Sequence, residues 1–219
     1  MLTVLSTVGP AGAASATEST MIGLHAGRFA FPLLRLLYFM SGLAGCVMVA
    51  SGLILWTVKR RAKLPDPERP HFGFRLVEKL NIAAIVGLPT GMAVYFLANR
   101  LLPLGIAARS DQEIDAMFIA WGAVAVWALA RPARRAWLET LSATALLFAA
   151  VPVVNALTTD RSLVASLIAG DTIFASFDGA MLVIAAGFGW AALKVARRQP
   201  GAKVRARKAP LSPAGTEAA

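Results

Sequence analysis

Two histidines are the side chains best suited to hold a metal in this chain. His25 stands in LHAGRF, just ahead of a long apolar run, and His71 stands in PHFGFR, at the entrance to a second run. Imidazole is the usual axial ligand of b-type haem, so His25 and His71 are candidate cofactor ligands, and His25 is the candidate metal ligand. The alternative for each is a polar residue at a membrane surface. The apolar run between them puts the two on opposite faces of a bilayer, about 30 Å apart, so one iron cannot take both. Each would need its second ligand from a partner chain or from a segment outside this sequence. The lone cysteine, Cys46, falls in the middle of an apolar run and reads as a small packing residue, with no disulfide framework and no Cys-based metal site.

A second set consists of polar residues within or beside apolar runs: Arg28, Arg35, Asp115, Asn155 and Asp178. Charged groups in hydrocarbon are costly and usually face a partner or a wet cavity. The expected arrangement is a polar cluster at one membrane face, with Arg28 or Arg35 answering Asp178 or Asp115. The competing reading is neutralisation at helix starts, where the N-terminal dipole favours a carboxylate. Glu139 opens a span on the other side. The sequence holds no P-loop, no HExxH zinc spacing and no GxSxG elbow.

The elements that must position these residues are apolar helices. Runs at about 36–58, 80–102, 114–130, 137–157 and 173–196 predict five transmembrane helices. The first, at about 1.5 Å per residue, reaches about 35 Å and shows no polar stripe. The fold class expected is an all-α integral membrane bundle. With the first span ending at Lys59-Arg60-Arg61 in the cytoplasm, 17 Lys and Arg fall on the cytoplasmic side and 5 on the other. The positive-inside bias then places the N-terminus in the periplasm and the C-terminus in the cytoplasm.

Within the spans, Ser41 and Gly45 with Gly52, and Ala185 with Gly189, are small residues spaced for close helix packing. Pro89 and Pro152 should kink their helices. Pro65, Pro67 and Pro70 exclude helix from the following loop. Beyond it, Phe72, Leu76 and Leu80 share a face of a short interfacial approach to the second span. Residues 1–23 read as a flexible extramembrane lead, 24–198 as the helical domain, and 199–219 as a disordered basic cytoplasmic tail.

Composition agrees with this reading. Hydrophobic residues are 57% of the chain, charged residues 16%, and mean hydropathy is +0.63. The net charge of +10 does not point to nucleic acid, because the basic residues gather in short segments between the apolar runs.

LHAGRF, the SGLAG…SGLILWTVKRR helix and PHFGFRLVEKLN, followed by ANRLLP, RPARRAW and NALTTDR, resemble the membrane part of PepSY-associated transmembrane proteins over about residues 22–198. That family is often described as iron-regulated inner-membrane proteins or ferrisiderophore reductases. The resemblance implies a haem b-carrying bundle that passes electrons to a ferric chelate on the periplasmic side and serves iron uptake, with His25 carried over as a haem ligand and His71 as a weaker one. Asp115 and Trp127 stand where related sequences often carry histidine. The expectation is therefore a truncated copy or fragment that works with a second subunit or as a homo-oligomer, in the bacterial inner membrane. The alternative is a non-enzymatic multi-span scaffold or accessory subunit of a transport system.

Overall fold

The computed structural model describes residues 13–26, 31–160 and 162–197, and every regular element among them is helical. The chain divides into two compact units, Met1–Ala62 and Lys63–Ala219. Five helices are long and apolar enough to cross a membrane: Leu33–Ala62, Phe72–Leu101, Arg109–Ala130, Ala133–Thr158 and Thr172–Arg197. They coincide with the five apolar runs and extend the first, fourth and fifth at both ends and the second and third at the start, because polar and basic residues continue the helices beyond the apolar stretch.

The first unit contains α1 (Ala13–Ala26) and α2 (Pro32–Ala62). The described part of the stretch read as an extramembrane lead, from Ala13 on, is helical, with Thr17 and Thr20 each returning a hydroxyl hydrogen bond of 2.8 Å to the carbonyl four residues earlier. Proline at the first position of α2 costs no hydrogen bond, since that N–H has no partner in a helix. Lys59, Arg60 and Arg61 close α2 where cations complement its C-terminal carbonyls. The polar groups within α2 are kept local: Ser51 donates to the Met48 carbonyl at 3.0 Å and Thr57 to that of Leu53 at 2.8 Å.

The second unit begins after the proline-rich loop, which is non-helical as its three prolines require. The second span is one continuous helical path in three parts. These are α3 (Phe72–Ile82), a π-helical segment (Ala83–Gly87) and α4 (Leu88–Leu101). The expected interfacial approach is therefore the first turns of the span itself. Its Phe72–Leu80 face points away from the bundle, and Phe74 is the residue it buries. The π segment is the local answer to Pro89, whose ring would clash with the carbonyl four residues back and which has no N–H to offer. The Trp121 indole N–H donates to the Ala83 carbonyl at 2.9 Å, at the start of the segment. The other elements are α5 (Arg109–Ala130), α6 (Ala133–Thr158), α7 (Leu163–Ile168) and α8 (Thr172–Arg197). Helix α6 runs without interruption through Pro152, which is buried.

Helix α4 packs on α5 and α6, and α6 packs most extensively on α8. The interior is layered. Ile82, Ala128 and Ala136 form one layer, Val86, Leu141 and Ala192 the next, and Ala93, Phe148, Val151, Met181 and Ala185 the third. Phe148 stacks on Phe188 with centroids 6.0 Å apart, and Phe96 meets Phe177 edge-on at 5.3 Å. Ala185 is buried and Gly189 faces the Ala145 methyl, so the small pair expected on the last span does sit at a helix contact. The Ser41–Gly45 pair lies on α2, the one long helix of the first unit, and so has no long-helix partner within that unit.

The tightest contact was not anticipated. A Cβ on Gly87 would lie 2.7 Å from Trp121 Cδ1, and one on Gly91 would lie 2.8 Å from the Met117 carbonyl oxygen. Gly87 and Gly91 are a GxxxG pair, and they let α4 and α5 approach backbone to backbone. At Gly122, by contrast, a Cβ would meet nothing within 4 Å. Gly91→Ala should therefore destabilise the protein in detergent by about 1–3 kcal/mol through overpacking. Gly122→Ala should leave the thermal midpoint unchanged or slightly raised, since alanine favours helix. A melt followed by circular dichroism checks both.

Candidate functional site

Polar side chains gather at the end of the second unit where α4 and α6 finish and α5 and α8 begin. Asn155, on the last turn of α6, donates from Nδ2 to Asp178 Oδ1 on α8 at 2.7 Å. Both are buried, Asp178 to 2% exposure and Asn155 to 5%. Asn155 Oδ1 is buried without a hydrogen-bond partner. The pair lies one layer beyond the third apolar layer, since Val151 and Asn155, like Met181 and Asp178, are separated by about one helical turn.

A second cluster links α4 and α5. Glu113 is 5% exposed and accepts from Asn99 Nδ2 with both carboxylate oxygens, each at 3.1 Å. Arg109 Nε lies 3.4 Å from Glu113 Oε1, and the Arg109 guanidinium also donates to the Asn99 carbonyl. A carboxylate at this depth costs least when its lone pairs are filled and a cation stands beside it. Glu113 has an amide donor shared by both oxygens and a cation beside it, while Arg109 Nε is buried without a hydrogen bond of its own.

One turn outside the Asn155–Asp178 pair, at i+4 from Asn155 and i−4 from Asp178, stand Thr159 and Phe174. They line an open depression of about 400 Å³ together with Arg100 and Asp160. A neighbouring depression of about 280 Å³ shares Arg100 and Thr159 and is completed by Asn99, Leu102, Leu104, Arg109 and Thr158.

The opposite end of the unit is held differently. Arg131 stacks its guanidinium over Trp127, 4.4 Å from the ring centroid, and its Nε lies 3.4 Å from Glu139 Oε2. That oxygen also accepts from the Trp127 indole at 2.8 Å. Arg134 donates to the Ala196 carbonyl at 3.1 Å, and the Lys79 ammonium donates to the Leu129 carbonyl, so two cations satisfy carbonyls at the ends of α8 and α5.

Of the residues singled out in the sequence, the structure therefore brings Asn155 and Asp178 together. Asp115 is exposed on α5. The buried acid of that helix is Glu113, about 200° away around the axis. Arg35 is exposed on α2, in the other unit, and Arg28 and the His25 side chain lie outside the described residues. His71 is exposed at the residue preceding α3, with its ring 6.3 Å from that of Phe74. Glu113, Asn99 and Arg109 were missed. The Asn99/Arg109 spacing across a short loop was their only signal, and it does not say which carboxylate turns inward.

As to haem, the two histidines fall in different units, so neither unit contains a bis-histidine pair. Among the described residues no group of three or more His, Cys, Asp or Glu could hold a metal ion. The second unit by itself does not fit a b-type haem with two histidine ligands.

Asn155→Leu should cost about 1–3 kcal/mol of stability, because it strips a buried carboxylate of its donor. The double variant Asn155→Leu with Asp178→Leu should recover much of that loss, since removing both partners leaves no buried charge. Thermal melts of the three variants in one detergent check the coupling.

Comparison with known proteins places residues 3–59 against the family model described as the PepSY-associated TM region, a stretch that takes in α1 and most of α2. The later motifs, from PHFGFRLVEKLN to NALTTDR, lie outside that match. No curated protein and no solved structure matches the chain.

Proposed function

We propose, from the match of residues 3–59 to the PepSY-associated TM region, that this multi-pass membrane protein is an electron-transfer component of ferric-chelate reduction in the bacterial inner membrane. The observation that carries the reading is the position of the match, which spans LHAGRF and so takes in His25. In this reading His25 would hold haem b from this chain, with a further ligand supplied by a partner chain or a second copy. His71 is a lesser candidate, alone in its unit and exposed. The haem would supply one-electron chemistry. The ferric chelate is the electron acceptor on the periplasmic side, so the N-terminus faces that side and the C-terminus the cytoplasm.

A second reading is a non-enzymatic scaffold or accessory subunit of a transport system. The placement of His71 favours it: an exposed residue at a helix start, against an aromatic ring, with no second histidine in its unit.

A reduced-minus-oxidised visible spectrum of the detergent-purified protein, with haem supplied, separates the two. The redox reading expects b-type Soret and α bands, and their loss in His25→Ala. Absence of the bands rejects it in favour of the scaffold. Topology is checked independently: a reporter fused after Ala219 should be active only in the cytoplasm, and activity in the periplasm would reverse the assigned orientation.

A further inference from the structure

The depression at the Arg100 end has a charge pattern that the redox reading does not use. Arg100 is half-buried in the last turn of α4, and Asp160, exposed just after α6, lines the same opening. Neither makes a hydrogen bond or an ion pair, with each other or with any described residue. The neighbouring cation, Arg109, is by contrast committed to Glu113 and the Asn99 carbonyl. One opening is therefore lined by a cation and a carboxylate that make no ion pair with a described residue, together with Thr159 and Phe174.

A ligand that satisfies both at once carries a negative and a positive group a short distance apart. The guanidinium fork matches a phosphate or carboxylate. A carboxylate in the same lining favours an ammonium that still has N–H groups to donate. Depth in the membrane narrows the source. Arg100, Thr158 and Phe174 sit at the ends of three candidate spans, where headgroups lie. Large apolar side chains flank the opening and face outward, Leu157 at 80% exposure, Ile173 at 76% and Leu104 at 86%. They offer a path for acyl chains.

We propose that this depression is a binding site for a zwitterionic phospholipid headgroup bearing a primary ammonium, as in phosphatidylethanolamine. The phosphate sits on Arg100, the ammonium on Asp160, and the two methylenes between them lie against Phe174. The site is independent of haem and lies wholly within the second unit.

The test is retention of added lipid on the full-length protein in mild detergent, read by native mass spectrometry. Phosphatidylethanolamine, phosphatidylcholine and phosphatidylglycerol of identical chains are compared, with soluble phosphoethanolamine as competitor. The expected order puts phosphatidylethanolamine first. Trimethylation removes the N–H donors, and glycerol removes the cation. Arg100→Gln and Asp160→Asn should each weaken phosphatidylethanolamine retention about tenfold, the loss expected for one charge-assisted hydrogen-bonded contact. Because neither side chain has a partner among the described residues, both variants should keep the wild-type helical content and melting temperature. A variant that does not is replaced by phosphoethanolamine competition on the wild type. Competition by phosphoethanolamine supports recognition of the headgroup itself, and strong retention without competition supports a lipid source held by headgroup and chains together. Equal retention of the three lipids, or retention of phosphatidylethanolamine untouched by both substitutions, overturns the proposal.

Discussion

In hydrocarbon, a helix gains nothing by exchanging lipid neighbours for leucine neighbours. Association has to come from close packing and from polar groups that find one another. The second unit uses both. Gly87 and Gly91 remove the side chains that would hold α4 away from α5, and the Met117 carbonyl fills the space a methyl would need. The same stretch contains Pro89, so backbone irregularity and close approach coincide. The π segment leaves irregular pairing at Ala83–Gly87, and the Trp121 indole serves the Ala83 carbonyl from the neighbouring helix. A helix end or bulge in a membrane is tolerated only where protein supplies such a partner.

The polar side chains follow the same rule. Mid-bundle, Thr90 and Thr144 meet at 2.7 Å, while each also lies 2.8 Å from a carbonyl of its own helix. Two hydroxyl protons serve three contacts there, so one hydroxyl must give up its backbone carbonyl to bridge α4 and α6. Toward the Arg100 end the groups become charged. Glu113 is met by the Asn99 amide and the Arg109 cation, and Asp178 by the Asn155 amide; each cluster leaves one buried polar atom without a hydrogen bond, Arg109 Nε and Asn155 Oδ1. Outermost, Arg100 and Asp160 are uncommitted. The buried carboxylates each have a protein donor, while Arg100 and Asp160 lie at the more exposed rim.

Chemistry that depends on histidine is separated from this architecture. The family match lies on the first unit, with His25, and the packed polar machinery lies on the second. The proposed haem ligand thus belongs to the first unit, and the proposed headgroup site to the second.

The five spans, their approximate limits and the break at the proline-rich loop were legible in the sequence. They depend on local properties: runs of apolar residues long enough to cross a bilayer, and prolines that cannot join a helix. So was the packing role of Ala185 and Gly189. What the tertiary structure alone decided is which face of each helix turns inward. A soluble helix advertises that face by its apolar stripe. A membrane helix is apolar toward lipid and toward protein alike, so period 3.6 carries no such mark. Asp115 and Glu113 are equally acidic and two residues apart, yet only Glu113 turns to Asn99 and Arg109. Asn155 and Asp178 were each conspicuous, but their pairing depends on how α6 lies on α8, and Gly87 matters only because Trp121 happens to stand opposite. These are properties of helix against helix, fixed by shape complementarity between surfaces distant in the chain.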